Sequence, residues 1–233
     1  MSVLYLIRHG QASFGAANYD QLSGRGVEQS RLLGAWIKRW GITFHHVVAG
    51  GSQRHLQTAE AFFDAYGKGA EGLPRIHRDP DFNEVEFEAM LRTSEAAQRS
   101  PGTAAKGTAG QTFADFQMRI NNGYIRWTNG LHDHEYEESW PAFNQRCVDA
   151  LMRAIALARP DENVVAFTSG GTITAICKHV LGFSAEQMAV MMWCIFNSSI
   201  TRLDWDQNRF ALTLFNSTAH LDQTGDASLI TLS

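Results

Sequence analysis

What most constrains this chain is a pattern used three times: an unbroken apolar run, a polar or glycine-rich turn, then residues at helical spacing. The first run is Val3-Leu4-Tyr5-Leu6-Ile7, ending at Arg8-His9-Gly10. A β-rich run without polar alternation is what a strand covered on both faces requires, as inside a parallel sheet. Leu32, Leu33, Trp36, Ile37 and Trp40 then recur at spacings of one, three, one and three, a helical stripe closed by Gly41. Val47-Val48-Ala49 ends at Gly50-Gly51-Ser52, before a helix through Ala59, Phe62 and Phe63. Val164-Val165-Ala166-Phe167 ends at Thr168-Ser169-Gly170-Gly171, before Ile173, Ile176, Val180 and Leu181. The repetition predicts an α/β fold, a three-layer sandwich with a mostly parallel central sheet. Ile200–Leu203 and Phe210–Phe215, separated by Asp204–Asn208, predict a C-terminal hairpin.

The 233 residues are expected to form one catalytic domain, 1–233, with a cap-like helical insertion over the active site at about 88–138. Within it, Ser100–Gly110 reads as a loop, and Phe113, Phe116, Ile120, Tyr124 and Trp127 fall on a helix whose aromatics face pocket or core. The longest apolar run, Met188–Phe196, has nine residues against the roughly 20 of a membrane span. It reads as a buried helix, and no membrane partner is expected. Val3–Ile7 is too short for a signal-peptide core, so a cytoplasmic location is expected. Cys147, Cys177 and Cys194 are odd in number and far apart, and are read as reduced core thiols. A net charge of −4 leaves no nucleic-acid footprint. Trp36, Trp40 and the Met188–Trp193 stretch are assigned to core or an oligomer face, which leaves a homodimer open. Neither Gly-x-x-x-x-Gly-Lys-Ser/Thr nor Gly-x-Gly-x-x-Gly occurs, so no nucleotide or other cofactor is expected. His132-Asp133-His134-Glu135 has metal-like composition but no helical pair spacing, so no metal is expected there.

In open parallel sheets ligands bind beyond the carboxyl ends of the strands. That topology gathers Arg8-His9-Gly10, Ser52–Arg54 and Thr168–Gly171. Arginine forks hold phosphate or carboxylate oxygens at any working pH. A histidine among such cations stays neutral and keeps a nucleophilic nitrogen. An acid for a departing ester oxygen is available in Asp79–Phe87, which holds Asp79, Asp81, Glu84 and Glu86. Alternation puts Glu84 and Glu86 on one face and does not choose between them. The Gly170 and Gly171 amides at a helix start would point at an anion, and Ser169 reads as a cap for that helix.

These residues carry a family resemblance. Arg8-His9-Gly10 after a strand resembles the histidine phosphatase superfamily, the phosphoglycerate mutase-like proteins. Leu22-Ser23 with Gly26 and Gln29, then Arg54-His55-Leu56-Gln57-Thr58-Ala59, then Asn83-Glu84 with Phe87, follow in the family's order. Glu138-Ser139, Asn216 and His220-Leu221 resemble its later landmarks. The resemblance implies a metal-independent phosphomonoesterase on a phosphorylated small molecule. His9 would form a phosphohistidine, Arg8 and Arg54 would hold the phosphoryl oxygens, and Glu84 would be the acid. Ser13, and less directly Gln11 and Asn18, fall where the family contacts substrate.

One position departs from the family. Ser169 stands where a second histidine is usual, in a Ser-His-Gly-Gly-type turn. A neutral hydroxyl replacing a charged donor implies about 1 to 2 kcal/mol less transition-state stabilisation, a slower phosphatase. On that reading Ser169→His would raise the rate, unless His55 or His220 compensates. A mutase and a non-catalytic binder of phosphorylated ligands are the alternatives.

Overall fold

The computed structural model of the chain describes residues 2–13, 20–67, 75–98, 113–192, 194–206 and 209–232, and within these all side chains but those at 97, 98, 113–117, 120, 186 and 189. Its strands are β1 (Ser2–Arg8), β2 (His46–Ala49), β3 (Ile76–Arg78), β4 (Asn163–Thr168), β5 (Ile200–Asp206) and β6 (Arg209–Ser217). They form one sheet in the order β3-β2-β4-β1-β5-β6. The first four in that order run parallel, and β5 and β6 add an antiparallel hairpin beside β1. The helices are α1 (Gly24–Arg39), α2 (Gln53–Tyr66), α3 (Phe87–Gln98), α4 (Phe113–Thr128), α5 (Trp140–Ala156), α6 (Gly170–Leu181), α7 (Ala185–Met192) and α8 (Ala219–Asp222). The expected α/β architecture is borne out.

The apolar runs are continuous because both sheet faces are covered. Along β1, Val3, Tyr5 and Ile7 join Val47, Ala49, Val165 and Phe167 on one face. Leu33 and Ile37 of α1, with Phe62 and Phe63 of α2, seal that side. Leu4 and Leu6 join Val48, Val164 and Ala166 on the other face, under Phe143 and Leu151 of α5 and Ile173 and Ile176 of α6. Side chains alternating at period two thus feed two cores.

Within the insertion, Tyr124 and Trp127 of α4 belong to the core. Both are buried, and the Trp127 indole donates to the Glu138 carbonyl at 2.8 Å while its ring meets Trp140 edge-on at 5.0 Å. The side chains of Phe113, Phe116 and Ile120, the Ser100–Gly110 segment, Asn18 and Trp193 lie outside the described residues.

Two expectations need correction. The Met188–Phe196 run is not a buried helix: α7 ends at Met192, and although Met188 is buried, Val190 is 68% exposed. Cys194, at the end of that helix, is exposed, while Cys147 and Cys177 are the core thiols. Trp40 also lies outward, stacked on Trp36 at 5.0 Å. No helix among the described residues is long and apolar enough to cross a membrane.

Candidate active site

Strand register sets the site. Arg8 pairs with Thr168 and Ala49 with Phe167, so β1, β2 and β4 end at one level. His9, Gly50 and Ser169 therefore leave the sheet side by side. The His9 amide donates to the Thr168 carbonyl at 2.8 Å, and the His9 carbonyl accepts from the Ser198 amide and the Asn197 side chain, each at 3.2 Å.

The sequence blocks around this turn work mainly as its brace. A Cβ on Gly26 would lie 2.2 Å from the Gln11 carbonyl oxygen, and one on Gly10 2.4 Å from that of Gly26. Only two bare backbones approach so closely. The Gln11 amide donates to the Gln29 side chain at 2.8 Å, and the Leu22 amide to Gln57 at 2.8 Å. Ser23 caps α1 by accepting from the Gly26 amide at 3.1 Å, a contribution of about 1 kcal/mol. Thr58 accepts from the Gly10 amide at 3.0 Å and donates to the Arg54 carbonyl at 2.7 Å, linking the His9 turn to α2.

The ring of His9 is buried, and its Nδ1 lies 2.7 Å from the Gly10 carbonyl. A carbonyl only accepts, so Nδ1 carries the hydrogen and Nε2 keeps its lone pair. Burial is the main force holding the His9 pKa well below its ordinary value, followed by the charges of Arg54 and Arg8 and then by His55. The Gly10 contact opposes them without reversing the direction. Two guanidinium groups thus act on a neutral imidazole with a bare Nε2.

Arg54 is positioned by Asp20, whose Oδ1 lies 2.6 Å from Nη1 and whose Oδ2 accepts from the Gln53 amide at 2.8 Å. Arg8 donates to the Ile195 carbonyl and, at 3.0 Å, to that of Leu232. A Cβ on Gly170 would stand 3.7 Å from Arg8 Nε, so this glycine lies against the guanidinium.

The carboxylate of Glu84 occupies the start of α6, with Oε2 accepting from the Gly171 amide at 2.8 Å. Glu86 points out to solvent. The loop bearing Glu84 is clamped by Arg146, which donates to the carbonyls of Asp81 at 2.9 Å and Asn83 at 2.8 Å and pairs with Glu138 at 2.6 Å.

Ser169 differs from its reading as a helix cap. It stands at the N-cap position of α6, which begins at Gly170, but its hydroxyl makes no capping bond. That oxygen lies 2.7 Å from Nε2 of the buried His55 instead. The His55 ring is 5.7 Å from the His9 ring, centroid to centroid. A histidine at 169 would have to share this space with the His55 ring. His220 binds Ser198 at 2.9 Å and lies behind the His9 backbone. Ser13, whose amide donates to the Gln21 carbonyl at 2.8 Å, has no side-chain bond to this group among the described residues. His132 and Glu135 pair with each other at 3.1 Å, and Glu135 with Arg126 at 2.7 Å. Among the described residues no three His, Cys, Asp or Glu side chains are grouped to hold a metal.

Sequence reasoning missed Asp20 and Arg146 altogether, and gave Asn83 no role of its own. Asn83 sat inside a recognised block, and its Oδ1 accepts from the Ser52 amide at 3.1 Å, tying the Glu84 loop to the start of α2.

Three buried histidines make stability pH-dependent. Burial lowers His55 and His9 well below the ordinary value and His220 to about 3. Unfolded histidines take up protons below a pH of about 6.5 while these stay neutral in the fold, so stability falls as pH falls through that value. His220, at about 3 in the fold, should cost about 2 kcal/mol between pH 7 and pH 5, and His9 and His55 act in the same direction, against the 5–15 kcal/mol typical of a domain. Urea unfolding at the two pH values measures it; equal midpoints would show that the rings accept protons without unfolding.

The sequence matches the histidine phosphatase superfamily (branch 1) over residues 4–122 and 107–218. No curated protein matches it. Among solved structures it is similar to YhfR of Bacillus stearothermophilus, at 17% identity over 95% of this chain and 100% of that one, with TM-score 0.67. A phosphoserine phosphatase of Entamoeba histolytica crystallised with 3-phosphoglyceric acid is 21% identical over 95% and 100%, with TM-score 0.64. The alpha-ribazole phosphatase of Shigella flexneri is 21% identical over 93% and 97%, with TM-score 0.60. At these identities the likeness is one of fold. The family match spans nearly the whole chain and takes in Arg8, His9, Arg54 and Glu84: the chain belongs to the histidine phosphatase superfamily, branch 1, and is a phosphatase.

Proposed function

We propose that this phosphatase is a metal-independent phosphomonoester hydrolase that works through a phosphohistidine at His9. The observation that carries the reading is the His9 ring itself, with Nδ1–H engaged by the Gly10 carbonyl and Nε2 bare beside two arginines. Nε2 attacks phosphorus, the P–O ester bond breaks, and Glu84 gives its proton to the departing alkoxide. Water then attacks the phosphohistidine, Glu84 takes its proton, and the P–N bond breaks to release phosphate. Arg8 and Arg54 neutralise the charge that builds on the phosphoryl oxygens, the part a metal plays elsewhere.

Gly170, Ser169 and Ser13 are assigned to substrate contact. Gly170 is supported by its place against Arg8, and Ser169 by its neighbour His55; Ser13 rests on the family pattern alone. The substrate class is a phosphorylated small molecule, handled by one catalytic domain over 1–233 with the 88–138 insertion as its cap. Buried, unpaired Cys147 and Cys177 fit a reducing cytoplasm.

The test is a quench of the enzyme with a labelled phosphodonor. Label that is stable to base, labile to acid and absent from His9→Ala supports the reading. Label on another residue, or hydrolysis with no dependence on His9, overturns it. With 3-phosphoglycerate and a trace of the bisphosphate, isomerisation faster than phosphate release would identify a mutase instead.

A further inference from the structure

Among the described residues, Nδ1 of the fully buried His55 has no hydrogen-bond partner, and Nε2 lies 2.7 Å from the Ser169 hydroxyl. A Cβ on Gly50 would stand only 2.2 Å from that Nδ1. The ring is thus seated with one edge against the Gly50 backbone at the end of β2 and the other on Ser169. With the ring hydrogen on Nε2, the sealed Nδ1 is left as an unfilled acceptor and not as an orphaned N–H, and the stranded donor is the Ser169 hydroxyl, which a ligand can meet. Nε2–H then donates to the Ser169 oxygen, and the hydroxyl hydrogen finds no acceptor among the described residues. Burial and the Arg54 charge hold His55 well below its ordinary pKa, which agrees with a neutral ring.

We propose that the Ser169 hydroxyl donates to a phosphoryl oxygen held beside Arg8 and His9, and that His55 is a positioning residue that fixes the hydroxyl for that bond. The two act as one donor unit, so Ser169 is not a vacancy in the site. The proposal rests on the phosphatase reading, since it names what the hydroxyl binds. It also explains why two buried polar side chains 114 positions apart meet with no other partner for either reactive edge.

Four variants test it: Ser169→Ala, His55→Leu, His55→Gln and the double variant Ser169→Ala/His55→Leu. The readouts are kcat and KM on p-nitrophenyl phosphate and the Kd for inorganic phosphate by calorimetry. Ser169→Ala should lower kcat about 10- to 100-fold and weaken phosphate binding several-fold, the loss of one donor in a water-poor site. His55→Leu should lower kcat about tenfold, and the double variant should be no worse than Ser169→Ala. His55→Gln, whose amide N–H reaches the place of Nε2, should recover most of what His55→Leu loses.

A double variant whose loss is the product of the two single losses would overturn the unit, because His55 would then act independently of Ser169. So would a Ser169→Ala enzyme equal to the parent in both kcat and phosphate affinity. If the parent releases no phosphate from any ester, the phosphatase reading fails instead. Phosphate affinity then still decides the pair: weaker binding in Ser169→Ala supports it, and unchanged binding overturns it.

Discussion

Replacing His9 with alanine should lower hydrolysis of any phosphomonoester by about 10⁴-fold or more while leaving the fold intact. The loss is large because the nucleophile is removed outright and no neighbouring group replaces it. The fold survives because the bonds that hold position 9 are made by its backbone, to Thr168, Ser198 and Asn197. Phosphate should still bind, since Arg8 and Arg54 remain. The same change removes one of the three buried imidazoles, so the variant should lose less stability than the parent between pH 7 and pH 5. Three measurements check this together: turnover on an alkyl phosphate, phosphate affinity, and urea midpoints at the two pH values. Residual turnover within about a hundredfold of the parent would mean that phosphorus is attacked by something other than this ring.

The parts of this molecule that were legible in the sequence are those whose signal is local and periodic. Val3–Ile7, Val47–Ala49 and Val164–Phe167 read as buried strands because each face of the sheet has its own core. Arg8, His9 and Arg54 could be grouped because parallel strands present their carboxyl ends at one edge. α5 carried a readable pattern that went unused: Ser139 as cap, Pro141 in the first turn, and buried Phe143, Cys147, Ala150, Leu151 and Ala154 at helical spacing. The Glu84 and Glu86 choice was illegible for a different reason. It turns on where the loop meets α6: Glu84 accepts from the Gly171 amide while Glu86 is exposed, which supports the proposal of Glu84 as the acid. The meeting of His55 with Ser169 was equally out of reach, since nothing within one helix says what will stand at the end of another strand. Ser169 alone reads as a deficit; with His55 beside it, the position holds a hydroxyl 2.7 Å from a buried imidazole nitrogen.

Glu84→Gln should separate substrates by their leaving groups. The amide oxygen can still accept from the Gly171 amide, so the anchor at the start of α6 is kept, while the transferable proton and the weaker 3.1 Å bond from the Val85 amide to Oε1 are lost. An alkyl phosphate needs that proton as its P–O bond breaks, and its turnover should fall about 10² to 10⁴-fold, the usual weight of general acid catalysis. p-Nitrophenyl phosphate releases a stabilised phenolate without one, so its first step should slow far less. The second step differs, because water attacking the phosphohistidine still needs a base. The variant should therefore give a rapid burst of about one p-nitrophenolate per enzyme followed by slow steady turnover, and no burst from the alkyl ester. Glu86, exposed to solvent, is the control: Glu86→Gln should stay within about twofold of the parent on both substrates, as surface changes usually do. Equal losses on the two esters with no burst would reduce Glu84 to a brace for α6 and send the search for the acid elsewhere. A burst on the aryl ester alone would place the same carboxyl in both steps, as acid in the first and base in the second.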